Sequence, residues 1–231
     1  MKSRVSGCIF IFIFIIMPLV FDRSASAIIV TYPVPPGLKS SPDFTLRAND
    51  IPIWVERIGS RLSSFSYDLY SGRDMEDLNV ANFSCSGEIT IKITSSSNID
   101  SFKIRPINRN IKATVNGRDL IFTIPGPQKL YIEINGLPHL AIFADPIEIN
   151  PPKEGDRDVI FISPGTYSAD SINLRSNQTI YIAGGAILNA NIRGNNLHNV
   201  KISGHGILQG TPVDKVELLV ESVHRYSRDR T

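Results

Sequence analysis

The sequence predicts an all-β protein: an N-terminal β-sandwich, then the first coils of a right-handed parallel β-helix, then a short C-terminal helix. Three observations carry this. Short β-branched and aromatic runs alternate apolar and polar residues through residues 28–150. A strand repeat of 20 residues follows in 151–210. Between them, 146-PIEINPPKEGDRD-158 packs three prolines and six charges into thirteen residues, the composition of a junction.

The sandwich elements read in order as 28-IIVTY-32, 43-DFTLRA-48, 52-PIWVERI-58, 64-SFSYDLY-70, 88-EITIKI-93, 101-SFKIRP-106, 111-IKATVN-116, 119-DLIFTI-124, 129-KLYIEIN-135 and 139-HLAIFAD-145. In 129-KLYIEIN-135, Leu130, Ile132 and Ile134 face one way, and Tyr131 and Glu133 face the other. Such alternation predicts antiparallel sheets with one buried and one wet face. Asn116-Gly117 between two such runs predicts a tight hairpin.

The β-helix reading comes from aligning 159-VIFISPGTYS-168, 179-TIYIAGGAIL-188 and 199-NVKISGHGIL-208. Ile160, Ile180 and Val200 share a column, as do Ile162, Ile182 and Ile202. Pro164, Gly184 and Gly204 share another, and Ile172 and Ile192 repeat at the same interval. Phe161, Tyr181 and Lys201 point outward. Each coil supplies one strand to each of several parallel sheets, about 4.8 Å from its neighbour, and buries its apolar column only by stacking. In 214-DKVELLVESVHRYSRDR-230, Val216, Leu219, Val220 and Val223 form one helical face, with Asp214 as N-cap. Residues 211–231 are therefore expected to be a helical tail.

The first 27 residues predict a secretory signal peptide. Lys2 and Arg4 precede the apolar run 8-CIFIFIFIIMPLVF-21, and Ala25-Ser26-Ala27 supplies small residues for cleavage. The run is short for a membrane span of about 20 residues. Residues 1–27 hold Lys2, Arg4 and Arg23 against Asp22, so the chain's 24 basic and 22 acidic residues fall to 21 of each after cleavage. A neutral mature chain gives no support to a nucleic-acid partner. The expected product is secreted, with no membrane attachment after cleavage. Cys8 leaves with the signal, so Cys85 is alone and no intramolecular disulfide forms. Cys85 reads as a structural thiol.

No catalytic, cofactor or metal residue is assigned. His139, His198 and His224 lack ligand spacing. From residue 158 to 210, Asp158 and Asp170 are the only carboxylates. Gly204-His205-Gly206 has the form of a catalytic triplet, but the 20-residue alignment puts His205 in the column of Gly165 and Gly185, a bend position. Trp54, Tyr67, Tyr70, Phe161 and Tyr181 are candidate sugar-stacking aromatics, each of which can equally be packing. Phe161 and Tyr181 could stack on the neighbouring sandwich. Asn82-Phe83-Ser84 and Asn177-Gln178-Thr179 fit the glycosylation acceptor pattern.

The order of sandwich, junction, 162-ISPGTY-167, 178-QTIYIAGGAILNANIRG-194 and 199-NVKISGHGILQG-210 resembles the pectin-lyase-like β-helix glycosidases. Glycoside hydrolase families 28 and 49, the polygalacturonases and dextranases, are the nearest. The resemblance covers roughly residues 28–210. It implies O-glycosyl hydrolysis by carboxylates, a polysaccharide partner and no cofactor. Family 28 draws its aspartates from an Asn-Thr-Asp motif and an Asp-Asp pair, followed by Gly-His-Gly and Arg-Ile-Lys, on later coils. This chain has no Asn-Thr-Asp, Asp-Asp or Arg-Ile-Lys. The expectation is the N-terminal part of a secreted hydrolase, inactive alone. A carbohydrate-binding module and a structural or surface β-helix protein remain alternatives.

Overall fold

The computed structural model describes residues 27–58 and 77–209. The predicted signal peptide, the predicted strand 64–70 with Tyr67 and Tyr70, the predicted helical tail and His224 lie outside the described residues. The described chain is all-β apart from a single 3-10 turn, Ile107–Arg109.

Two sheets form the sandwich. The strands are β1 (Ile28–Val30), β2 (Phe44–Ala48), β3 (Ile51–Ile53), β4 (Val55–Ile58), β5 (Leu78–Ser86), β6 (Ile89–Ser95), β7 (Phe102–Arg105), β8 (Ala113–Asn116), β9 (Asp119–Ile124), β10 (Gln128–Ile134) and β11 (Leu140–Pro146). One sheet runs β3-β2-β6-β9-β8; the other runs β1-β5-β11-β10-β7, with β4 also on β5. Alternation decides the buried faces: Ile89, Ile91 and Ile93 on β6 and Leu130, Ile132 and Ile134 on β10 enter one shared core. Asn116 pairs with Asp119 across a two-residue turn, as the Asn-Gly signal predicts.

Three sandwich details differ from expectation. The run 52–58 is two strands separated by Trp54. Residues 78–86, absent from the predicted strands, form the long central β5. Its polar residues interrupt the apolar pattern, and the partners of Asn79, Asn82 and Ser84 come from other parts of the chain. The β5–β11 pair is parallel, so the sheet is mixed.

The coils use β12 (Val159–Ile162), β13 (Gly165–Asn173), β14 (Thr179–Ile182), β15 (Ala186–Arg193), β16 (Lys201–Gly204) and β17 (Ile207–Gln209). They stack as two parallel three-stranded sheets, β12-β14-β16 and β13-β15-β17. Ile180, Ile182, Leu188, Ala190 and Ile192 of the middle coil are buried between them. Ile202 and Leu208 of the last described coil are each 42% exposed. A coil needs a neighbour on both sides to cover its apolar column.

In the first two coils, β13 meets β15 at a spacing of 21 from Gly165 to Ser168 and of 20 from Ser171 on, and β12 and β14 pair at the expected 20, Ile160 against Ile180 and Phe161 against Tyr181. The third coil's β16 does not. Ile180 faces Ile202, Tyr181 faces Ser203 and Ile182 faces Gly204, a spacing of 22. The spacing returns to 20 at Ile187 and Ile207. Two residues added in the turn before β16 are removed again at the bend holding His205. Lys201 therefore faces Thr179 and not Tyr181, and Gly165 faces Ala186, so the expected column of Gly165, Gly185 and His205 does not form.

The glycines at these bends are steric necessities. A Cβ on Gly184 would lie 2.2 Å from Tyr32 Cδ1. Gly204 has φ +116°, and a Cβ there would lie 2.0 Å from the Ile182 carbonyl oxygen.

Candidate functional site

The outer face of the six-stranded sheet meets the coils at the bends Gly184-Gly185 and Gly204-His205-Gly206. Alternation builds this contact. Ala81, Phe83 and Cys85 turn into the sandwich core, so Val80, Asn82 and Ser84 turn outward. Pairing brings Asp145 beside Ser84 and Glu56 beside Val80.

His205 is the centre of the contact, with its side chain 10% exposed. Its ring stacks on Tyr32, centroids 4.6 Å apart and 17° from parallel. Its Nδ1 lies 3.9 Å from Asp145 Oδ2 and its Nε2 3.7 Å from Glu148 Oε2. These distances exceed a hydrogen bond, so the two carboxylates flank the ring without bonding it. Asn82 Nδ2 donates to the His205 carbonyl at 3.4 Å. The Tyr32 hydroxyl and Ser84 Oγ are 2.6 Å apart.

The predicted junction supplies Glu148, which accepts a hydrogen bond from the Tyr181 hydroxyl. Tyr181 is buried and stacks on Phe161, centroids 5.4 Å apart. These two aromatics therefore serve packing, as one of their sequence readings had it, and the sandwich side meets Tyr181 through Glu148. Burial raises the Tyr181 phenol far above its ordinary pKa, helped by the hydrogen bond and charge of Glu148. Burial also raises Tyr32, with Glu148 and Asp145 adding to the shift against the Ser84 hydrogen bond.

A cleft of about 110 Å³ opens beside His205, lined by Trp54, Glu56, Asn82 and Tyr32 among others. The Trp54 indole N–H and Asn82 Oδ1 are buried without a partner. Burial pushes the Glu56 carboxyl above its ordinary value.

The remaining sequence candidates scatter. Cys85 is fully buried in β5, and burial, with the Asp145 charge, pushes its thiol up. Asp158 is exposed beside Arg157, and Asp170 is exposed at the irregularity between Ser168 and Ser171. His139 Nδ1 meets the Tyr131 hydroxyl at 2.6 Å, and His198 is an exposed turn residue. Asn82-Phe83-Ser84 does not suit glycosylation: it lies inside β5, with Phe83 and Ser84 buried. Asn177 is exposed. Among the described residues no cluster suits a metal ion, and no helix is long and apolar enough to cross a membrane.

Asp145 and Glu148 were missed in the sequence because they lie before the repeat and 57 or more residues from His205. The three groups do not form a glycosidase pair. Hydrolysis needs two carboxyls flanking a sugar bond, and here the imidazole fills the space between them. The cluster holds sandwich and coils together.

No family model and no curated protein matches the chain. Among solved structures it is similar to the dextranase Dex49A from Penicillium minioluteum, with a TM-score of 0.57 and 18% identity. The match covers 78% of this chain and 48% of that one, so the chain spans about half the length of the dextranase it matches. The likeness is one of fold: all-β, with stacked coils of the right-handed β-helix kind.

Proposed function

We propose that this chain is the N-terminal part of a secreted polysaccharide-degrading glycoside hydrolase of the polygalacturonase or dextranase type, without catalytic activity of its own. The observation that carries the reading is the stack of parallel coils behind a sandwich, an architecture similar to that of Dex49A. Two further observations support the inactive part of it. The sequence has no Asn-Thr-Asp or Asp-Asp motif. Asp158 lies in the turn before β12 and Asp170 on β13, with no facing acid among the described residues.

The test is reducing-sugar release from dextran and from polygalacturonate by the purified chain, which should match the buffer blank. Turnover abolished by Asp170→Asn would overturn the inactive reading. Secretion rests on the layout of residues 1–27, and N-terminal sequencing of exported protein should begin at Ile28.

A polysaccharide-binding module is the second reading. An open aromatic groove on the sandwich favours it.

A further inference from the structure

The outer face of the six-stranded sheet is only half covered by the coils. Its other half, on β7, β10 and β11, is open among the described residues. There a groove of about 710 Å³ lies between the sheet and the 3-10 turn, with Ile107 and Asn108 on its turn side. Strand register explains its shape. Arg105, Tyr131 and Ala141 lie in one row across three strands, and Lys129 and Phe143 lie in the next. Ala141 carries only a methyl group, so the floor drops between the larger Tyr131 and Phe143.

The chemistry of the lining is aromatic and cationic. Lys129 is exposed, and its Nζ lies 5.6 Å from the Phe143 ring centroid. Arg105 gives its Nε to Glu133, and among the described residues its terminal nitrogens have no partner. Glu133 also attracts Lys103 at 4.0 Å. Lys103, Arg105 and Lys129 against one carboxylate leave this face with excess positive charge. The lining itself contains Arg105 and Lys129 and no acid.

We propose that this groove binds an anionic polysaccharide, a chain of uronate-type sugars. The ring of Phe143 matches the C–H face of a pyranose, while Lys129 and Arg105 match the carboxylates of the chain. A neutral glycan would leave the two cations unanswered. A nucleic acid would call for a broader basic field than two lining cations on a chain with no excess charge after signal cleavage. The site lies on the sandwich and stands independently of the proposed hydrolase function, since its readout is retention and not bond cleavage.

The experiment is affinity electrophoresis of the purified chain through gels containing polygalacturonate, neutral dextran or single-stranded DNA. Polygalacturonate should retard the chain. Lys129→Gln and Phe143→Leu should each weaken that retention about fivefold to tenfold. Both keep side-chain bulk, and unchanged melting temperatures would show that the fold is intact. Absence of retardation by polygalacturonate would overturn the proposal. So would retardation that neither variant alters, or equal retardation by dextran or by single-stranded DNA.

Discussion

The imidazole of His205 lies on the phenol ring of Tyr32, with centroids 4.6 Å apart. One residue belongs to the bend between two coil strands and the other to the segment leaving the first sandwich strand. The stack therefore ties the last described coil to the sandwich. Parallel aromatic contacts of this type contribute about 0.5–1.5 kcal/mol beyond area burial. His205→Ala should destabilise the chain by about 1 kcal/mol or more, measured by chemical denaturation. Limited proteolysis should cut the last coil earlier than in the parent chain. A variant as stable and as resistant as the parent would show that the stack is incidental.

Gly184 admits Tyr32 against the coil. A methyl group there would overlap the ring at 2.2 Å. Gly184→Ala should therefore cost about 1–3 kcal/mol, the usual penalty of overpacking. In a Tyr32→Ala background the same change should cost much less, because the obstructing ring is gone. A double-mutant cycle tests this, and strict additivity would place the clash elsewhere.

Glu56 should make stability depend on pH in a defined direction. Its folded-state pKa is raised by burial above the ordinary 4.5. A raised carboxyl contributes stability that is fully present below the unfolded pKa and is lost as pH rises through the folded pKa. Glu56→Gln should therefore raise the melting temperature at neutral pH and change it little at pH about 4. A gain of equal size at both values would mean that the carboxylate charge is not the cause.

Cys85 should be inert in the native chain. It is fully buried, and its thiol is pushed up. A thiol reagent such as Ellman's should report no reaction until denaturant is added, then one equivalent from this residue. Cys85→Ala should be tolerated better than Cys85→Ser, which buries a hydroxyl at a cost of about 1–3 kcal/mol. Rapid native labelling would contradict the burial.

Side-chain periodicity made most of the fold legible. The alternation in 88–93 and 129–135 identified buried faces, and the 20-residue spacing identified the β12–β14 pair, because both patterns are local consequences of strand geometry. The central strand Leu78–Ser86 was not legible. Its outward Asn82 and Ser84 look like loop residues until the coil bend that accepts from Asn82 and the Tyr32 hydroxyl beside Ser84 are present. The third coil misled for a related reason. Its two irregular turns compensate, so a register counted along the chain returns to 20 while β14 and β16 pair at 22.

The sequence by itself determined that Gly204-His205-Gly206 marks a bend of a stacked β-coil and that the catalytic motifs of the resembled family are missing. Only the tertiary structure decided what the bend holds. Tyr32, Asp145 and Glu148 reach His205 from distant parts of the chain, and ladder pairing sets that proximity. The same pairing placed Lys129 and Arg105 in adjacent rows of one groove, which no spacing along the chain reveals.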